Sequence, residues 1–338
     1  MKGTPRIAME DIARLAGVSR ATVSRSLANS PLISAETKTR IVEIAKSRGY
    51  VVNDLGRRLR SGKANTISVV IPLAHDPKQP LSDPFFSTML GLLADELSNQ
   101  GYDLLLTRSS ALEADWIHSV APPMRADGVI VIGQSQEEAR LEEATEANVP
   151  LVVWGSASPD DARQYTCVGS DNVAGGRLAT RHLLEVGRRR ILFIGDQRLP
   201  EVSDRYSGYS AELASANVPV DRDLYLPCAF DGMDAGRSIR NALASKVEFD
   251  AIFAASDVLA MTAIAALRES GLTTPGDVAV VGFDDVAMAA HFSPALTTIR
   301  QDFAAASRLM VLRMIEQIDG APQTRDQLPV ELVLRQSA

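Results

Sequence analysis

The stretch that decides the fold is MEDIARLAGVSRATVSRSLANS, residues 9–30. Its apolar side chains recur at helical spacing, Gly17 interrupts the pattern, and Ser19 is suited to cap a second helix. This pattern predicts helices over Met9–Ala16 and Arg20–Leu27, joined by a short turn that contains glycine. Two short helices joined in this way are typical of a helix-turn-helix, a DNA-binding motif.

A third helix should support this pair. The apolar residues Ile41, Ile44 and Ala45 predict it, from a cap at Ser34 to about Arg48. In a helix-turn-helix, the second helix lies in the major groove with its first residues against base edges. The sequence therefore predicts a three-helix DNA-binding head.

The exposed side of the second helix follows from its buried side, where Val23 and Leu27 should lie. Arginine reads guanine through two hydrogen bonds, and alanine allows close approach or contact with a thymine methyl group. We expect Arg20 to read a base and Arg25 to contact a base or a phosphate, with Ser26 a further phosphate contact; the alternative is a plain solvated surface. The residues of this region predicted to bind DNA are Ser19, Arg20, Ala21, Thr22, Ser24, Arg25 and Asn29.

The charge of the chain is divided unevenly between this head and the remainder. The net charge of the 338 residues is −7, but residues 1–63 carry +8 and residues 64–338 carry −15. A basic head on an acidic body indicates nucleic-acid binding by the head and another task for the body. The alternative, a solvated basic tail, would lack the regular apolar spacing seen here.

Beyond Thr66, short apolar segments alternate with helical stretches. Near-continuous apolar strands separated by helices are typical of parallel sheets that are buried on both faces. The segments fall into two series, which predicts two Rossmann-like α/β subdomains that bind a ligand at the carboxyl ends of their strands. The first series is TISVVIPL, YDLLLTR, DGVIVIG, LVVWG and TCVGSD, and the second is RILFIGD, LYLPCAF, AIFAAS and VAVVGFDD.

Several classes of protein are disfavoured. The sequence has no dinucleotide-binding G-x-G-x-x-G, no phosphate-binding loop and no nucleophile elbow, and the acidic pair Asp284 and Asp285 stands without a second catalytic cluster. The four histidines lack metal-ligand spacing, and Cys167 and Cys228 are expected to be buried free thiols. With no apolar run of membrane length and no signal core, we expect a cytoplasmic protein that is not an enzyme and uses no cofactor or metal.

The segment YVVNDLGRRLRSGKANTISVVIP, residues 50–72, together with the first stretch, strongly resembles the lactose/galactose-repressor family of bacterial transcription regulators. The resemblance implies a hinge helix over 53–61 that forms when a homodimer binds a palindromic operator. Leu59 would then wedge into the minor groove, with Asn53 and Arg57 also on DNA. The alternative is a plain flexible linker. Ala8 stands where the family often has threonine, so the first helix should lack its usual side-chain cap.

The resemblance also implies the domain organisation. The helix-turn-helix domain should cover residues 1–50, and the hinge helix and linker 51–64. The core over 65–338 should bind the effector and dimerise, with the architecture of periplasmic sugar-binding proteins. Its first subdomain would comprise about 65–169 plus 301–324, and its second about 170–300 plus 325–338.

The effector would lie in the cleft between these subdomains. Arg205 would span two hydroxyl groups or a carboxylate, and Asp284 would meet sugar hydroxyls; Ser256 stands where the family usually has asparagine. Some alternatives remain: Phe253 and Phe283 in the core, Trp154 in the core or the cleft, Asp257 as a helix cap, and Arg205 paired with Asp204 at the surface. The residues implied to bind the effector are Asp83, Phe85, Phe86, Trp154, Asp171, Arg205, Phe230, Asp257 and Asp284.

The segment LAHDPKQPLSDPFF, residues 73–86, is longer and more polar than a minimal strand-to-helix loop. We expect it to form a lip of the cleft for a di- or oligosaccharide, with His75 and Asp76 as secondary contacts. The sequence thus predicts a sugar-responsive repressor without a membrane partner. The alternatives are a family member that binds a purine or a phosphorylated sugar, and a solute-binding protein, which would have no use for a basic head.

Overall fold

In the computed structural model, the chain divides into two compact units, residues 1–63 and 64–338. No helix among the described residues is both long and apolar enough to cross a membrane. The residues that the structure describes are 7–27, 30–50, 63–72, 80–109, 116–122, 125–134, 138–157, 164–230, 232–245 and 247–338.

The described part of the first unit is a bundle of the three predicted helices, α1 (Met9–Ala16), α2 (Arg20–Leu27) and α3 (Ala35–Ser47). Gly17 ends α1 with a left-handed backbone at φ 64°, where glycine carries no steric penalty. Ile12, Val23 and Ile41, one from each helix, are completely buried together. The helix-turn-helix is therefore held by a small apolar core that the periodicity had indicated.

The helix caps agree with the sequence in detail. Ser34 accepts a hydrogen bond from the backbone N–H of Thr37 and begins α3, as predicted. Ala8 offers α1 no side-chain cap, as expected, but the carboxylate of Asp11 accepts the N–H of Ala8. Asp11 thus satisfies one of the backbone donors at the start of α1.

The second unit alternates strands and helices. In chain order its elements are β1 (Thr66–Pro72), α4 (Pro84–Asn99), β2 (Asp103–Ser109), α5 (Trp116–Val120), β3 (Gly128–Ile132), α6 (Glu138–Glu146), β4 (Leu151–Trp154), β5 (Thr166–Ser170), α7 (Asn172–Glu185), β6 (Ile191–Ile194), α8 (Pro200–Ser215), a 3₁₀ turn (Arg222–Leu224), β7 (Tyr225–Leu226), α9 (Gly232–Ala244), β8 (Ala251–Ala254), α10 (Asp257–Glu269), β9 (Ala279–Asp284), α11 (Ala287–His291), β10 (Thr297–Gln301), α12 (Phe303–Ile318), β11 (Arg325–Leu328) and β12 (Val330–Val333).

These strands form two sheets, each with six strands among the described residues. The order is β2-β1-β3-β4-β5-β11 in the first sheet and β7-β6-β8-β9-β10-β12 in the second. All neighbours are parallel except β12, which runs antiparallel to β10. The central strands β3, β4, β6, β8 and β9 are buried along their whole length, as expected for parallel sheets covered on both faces.

The chain passes between the two subdomains after β5, after β10 and again between Leu328 and Val330. The last crossing differs from the expectation that residues 325–338 all belong to the second subdomain, because β11 pairs with β5 of the first sheet. The segment RDQL has no apolar run, so only its pairing identifies it as a strand. Cys167 and Cys228 are buried free thiols, as predicted.

Candidate functional site

A cavity in the second unit is lined by residues of both subdomains. Many of them end or follow strands: Ile132 ends β3, Trp154 ends β4, Asp284 ends β9 and Gln301 ends β10. This is the edge of an open parallel sheet at which ligands bind. The lining comprises Asp83, Phe85, Phe86, Ile132, Gly133, Trp154 and Gly155 from the first subdomain, Asn172, Glu201, Arg205, Phe230, Ser256 and Asp284 from the second, and Gln301 at the crossing between them.

The largest side chains in the wall from the first subdomain are aromatic. Phe85 and Phe86, in the first turn of α4, meet edge to face with ring centroids 5.3 Å apart, and Phe85 meets Phe303 in the same way at 5.5 Å. Asp83 caps α4 by accepting the N–H of Phe85 at 2.9 Å. Trp154 packs into the core of the first subdomain and also lines the cavity, so it takes both of the places, core and cleft, that the sequence left open.

Arg205 is the cation at the opposite wall, and only 5% of it is exposed. Its Nε donates to Oδ1 of Asn172 at 2.8 Å, and a terminal nitrogen donates to the carbonyl oxygen of Ala255. Its guanidinium carbon lies 3.7 Å from the ring centroid of Phe283. These partners are all neutral. Burial lowers the pKa of Arg205, and nearby carboxylates, led by Asp284, partly offset that effect.

Two glycines explain how Arg205 comes to lie beside Asn172. A Cβ atom on Gly176 of α7 would collide with the carbonyl oxygen of Arg205, and one on Gly208 of α8 would collide with the carbonyl oxygen of Val173. The two helices can therefore approach closely only because both positions are glycine. Arg205 is buried rather than paired with Asp204 at the surface, and Asp204 accepts the hydroxyl of Ser156.

Asp284 is a buried carboxylate at the end of β9. Its backbone has φ 119°, a strained region for an L-residue, and Asp285 follows at 57°. The Asp284 side chain accepts a hydrogen bond from Nε2 of Gln301 at 2.7 Å. Burial raises the pKa of Asp284 to about 7, Arg205 opposes the rise, and Asp83 adds to it.

The turn that carries Asp284 is fixed by its neighbour. The carboxylate of Asp285 accepts hydrogen bonds of 2.6 Å from Arg300 on one side and from Arg335 on the other. Two arginines from other segments thus hold the strained backbone in place, and the Asp284 carboxylate with it. Strain of this kind is concentrated at ligand sites and other functional positions.

Seven of the nine residues implied to bind the effector line the cavity, but Asp171 and Asp257 do not. Asp171 caps α7 by accepting the N–H of Ala174. Asp257 is fully buried and accepts the hydroxyl of Thr298 and the N–H of Val286, while Ser256 supplies the cap of α10. Burial raises the pKa of Asp257 well above its usual value. Both carboxylates are used within the protein.

The remaining alternatives are also resolved by burial. Phe253 and Phe283 are completely buried in the core of the second subdomain.

Several lining residues were not among those implied by the sequence, namely Ile132, Gly133, Gly155, Asn172, Glu201 and Gln301, and the contact at Ser256 was in doubt. Asn172 and Gln301 could have been found as polar residues at strand ends, whereas Glu201 faces the cavity only because of how α8 packs.

One hydrogen bond joins the two subdomains beside the cavity. The hydroxyl of Ser156, which follows β4, donates to the carboxylate of Asp204 on α8. The backbone of Ser156 is itself fixed by the side-chain amide of Gln134, which accepts its N–H at 2.9 Å and donates to its carbonyl oxygen at 3.0 Å. The first subdomain thus presents a rigid donor to the second.

In the head, the predicted DNA-reading surface of α2 is open to solvent. Arg20 and Arg25 are exposed, and Arg20 forms an exposed ion pair of 2.8 Å with Glu10, which costs little to exchange for another partner. Ser19 caps α2 by accepting the N–H of Thr22.

Ser26 differs from expectation. It is only 3% exposed, because it lies one turn after Val23 on the inner face, and so cannot reach a phosphate from this position. The predicted contacts Asn29, Asn53, Arg57 and Leu59, and the secondary residues His75 and Asp76, lie outside the described residues.

Comparison with known proteins agrees with both units. Residues 8–53 match the model of bacterial regulatory proteins of the lacI family, and residues 180–338 match a periplasmic binding protein-like domain. A relative from Thermobifida fusca, the HTH-type transcriptional regulator CelR, is 32% identical over 336 residues, which are 99% of this chain and 97% of that protein.

Two solved structures extend this likeness to the whole fold. A CelR–cellobiose complex is 30% identical, with a TM-score of 0.74 over 98% of this chain and 100% of the other. A lac repressor dimer bound to operator and the anti-inducer ONPF has a TM-score of 0.85 over 98% and 99% of the two chains. At 24% identity, the latter shows the fold alone.

Proposed function

The chain belongs to the lacI family of bacterial regulatory proteins and is a DNA-binding transcriptional regulator, and from this premise we propose that it is a repressor whose effector is a neutral sugar. The sugar would lie in the cavity between the two subdomains. The proposed contacts are Asp83, Phe85, Phe86, Trp154, Arg205, Phe230 and Asp284.

The observation that carries this proposal is the chemistry of the cavity walls. Aromatic rings can cover the apolar face of a sugar ring, and carboxylates can accept hydrogen bonds from several of its hydroxyls. Among the lining residues that the structure describes there is one arginine, Arg205, and it already binds Asn172, Ala255 and the ring of Phe283. Within the described part of the lining, a phosphate group would therefore meet carboxylates without a further cation to balance its charge. The cellobiose complex of CelR, a relative with the same fold, supports a sugar.

The proposed response couples this cavity to the head. A sugar that binds both walls favours one arrangement of the subdomains over the other, and DNA affinity changes by the same coupling free energy. We propose that the protein binds as a homodimer, since one recognition helix reads too few bases to be specific alone and a palindromic operator matches two of them.

A ligand panel tests the effector. The full-length protein is titrated with cellobiose, maltose, lactose, glucose, glucose 6-phosphate and hypoxanthine, and its melting temperature and binding heat are measured. We expect at least one neutral sugar to bind and to raise the melting temperature, as any ligand specific for the folded state does. Binding of glucose 6-phosphate or hypoxanthine alone would contradict the proposal and favour the corresponding effector.

The DNA arm uses duplexes that the full-length protein selects from a random-sequence pool. We expect a palindromic duplex whose affinity changes when the bound sugar is added. Arg20→Ala should cost about 1–3 kcal/mol of binding free energy and relax the preference at one base pair in each half-site. An equal loss on all sequences would instead assign Arg20 to a phosphate.

A further inference from the structure

Glu201 is a lining residue of the cavity that the sequence did not single out. It is the second residue of α8, one helical turn before Arg205, so both side chains lie on the same face of that helix. Burial lowers the pKa of the Arg205 guanidinium, and the charges of Asp284 and then of Glu201 act on it through space in the opposite direction. Glu201 therefore belongs to the polar wall of the site.

The carboxylate of Glu201 is incompletely satisfied. Its Oε2 atom is buried and has no hydrogen-bond partner among the residues that the structure describes. The other two carboxylates of the lining differ in this respect, since Asp83 accepts the N–H of Phe85 and Asp284 accepts the amide of Gln301. A carboxylate oxygen withdrawn from water without a donor destabilises the folded protein, so its retention in a ligand cavity indicates a donor from the ligand.

We propose that Glu201 determines specificity by accepting a hydroxyl hydrogen of the bound sugar. This inference rests on the proposed function, because it assigns one contact within the same cavity. An ionised carboxylate can only accept hydrogen bonds, so the ligand must place a donor at this position. A sugar that carries an acceptor or an anion there leaves Oε2 unpaired or repelled, and the cavity discriminates against it.

The first experiment compares Glu201→Ala and Glu201→Gln with the wild type in binding cellobiose, maltose and lactose by calorimetry. The disaccharide that binds the wild type should bind Glu201→Ala about 20-fold more weakly, as expected for a lost hydrogen bond to a charged group. The melting temperature of the sugar-free protein should stay the same or rise, since an unpartnered buried carboxylate is removed. A lower melting temperature with unchanged affinity would assign Glu201 a purely structural role and overturn the inference.

Glu146→Gln is the matched control, because Glu146 is an exposed carboxylate at the end of α6, away from the cavity lining. Its removal changes the net charge equally and should leave sugar affinity unchanged. An equal loss in this variant would attribute the effect of Glu201 to overall charge rather than to a contact, and would also overturn the inference.

The second experiment uses the monodeoxyfluoro analogues of the disaccharide that binds. Fluorine can accept a weak hydrogen bond but cannot donate one, so each analogue removes one donor. One analogue should bind the wild type about 10-fold more weakly than the parent sugar, and the same analogue should lose nothing further on Glu201→Ala. Equal losses of every analogue on both proteins would overturn the assignment.

The outcomes separate this inference from the proposed function. If none of the three disaccharides and no glucose binds the wild type, the proposed function fails and the inference fails with it. If a disaccharide binds the wild type and Glu201→Ala equally well, the sugar-binding function stands and only the role of Glu201 is refuted.

Discussion

The two subdomains of the core share one strand order but present different chemistry to the cavity between them. The first sheet runs β2-β1-β3-β4-β5-β11 and the second β7-β6-β8-β9-β10-β12, the same order with only the final strand reversed. Yet the first subdomain contributes three aromatic residues and one carboxylate, whereas the second contributes four polar or charged side chains and one aromatic ring. The former are Phe85, Phe86, Trp154 and Asp83, and the latter are Asn172, Glu201, Arg205, Asp284 and Phe230.

This difference shows that topology fixes where a site lies and that individual residues at equivalent strand ends fix what it binds. An aromatic wall without a polar wall would hold any flat apolar ligand, and a polar wall alone would compete poorly with water. We therefore expect the polar side chains of the second subdomain to select the ligand, and the aromatic rings of the first subdomain to supply apolar contact area.

The largest effect should follow from Gly176→Ala, which disturbs the polar side. The added Cβ would strike the carbonyl oxygen of Arg205 and push α8 away from α7, which moves the guanidinium relative to Asn172. We expect the free energy of unfolding to fall by more than about 3 kcal/mol and the response to sugar to be lost. Chemical denaturation and a sugar titration measure the two effects.

Gly91→Ala is the control from the aromatic side. Gly91 is exposed in α4 and a Cβ there would meet no atom within 4 Å, so the substitution should stabilise the helix by about 0.5–1 kcal/mol. If the two variants had similar stabilities, the close approach of α7 and α8 would not be what positions Arg205.

The next largest effect is a dependence of stability on pH, which arises from Asp284 on the polar side of the cavity. Because the pKa of Asp284 is raised to about 7 in the folded protein by burial, the folded state holds a proton that the unfolded chain releases near pH 4. The contribution is therefore fully present at low pH and is lost as the pH rises through 7. We expect the free energy of unfolding to fall by about 2–3 kcal/mol between pH 5 and 8 on this account.

Asp284→Asn should flatten this pH dependence, measured by urea denaturation at each pH without sugar. The pKa of Asp257 is also raised, first by burial and then by the charge of Asp284, so the substitution reduces that contribution as well. An unaltered slope in Asp284→Asn would mean that Asp284 is ionised throughout this range and that the polar wall carries a larger negative charge.

Much of the fold and part of the cavity lining could be predicted from the sequence. Apolar segments indicated most of the strands, and the positions implied by the family resemblance, among them Trp154, Arg205 and Asp284, account for half of the cavity lining. Strand β11 was not predicted because its polar sequence lacks an apolar run. Asp257 was expected to line the cavity, but its carboxylate turns inward and accepts the backbone N–H of Val286. Such choices depend on packing between distant segments, which local patterns do not encode.

On the aromatic side, Trp154→Leu should weaken sugar binding about 10-fold, because the leucine side chain cannot cover a sugar ring with an aromatic face. Affinity for the selected DNA duplex without sugar should not change. Trp116→Phe is the control, since Trp116 is buried in a separate cluster of the same subdomain and donates to the carbonyl oxygen of Arg140. Equal losses in both variants would point to a general weakening of the subdomain rather than to a contact.

The smallest effect tests the link between the two sides. Ser156→Ala removes the hydroxyl that donates to Asp204 between the two subdomains, and with it about 1 kcal/mol in favour of the arrangement of the subdomains seen in the structure. If sugar binds this arrangement, its affinity should fall about fivefold while the spectra of the folded protein stay the same. Ser170→Ala is the matched control in the same subdomain, because the Ser170 hydroxyl is buried without a partner among the described residues and its loss should be neutral or stabilising. A sugar affinity that rose in Ser156→Ala would mean that this hydrogen bond holds the subdomains in the arrangement that sugar must open, and the direction of the proposed response would reverse.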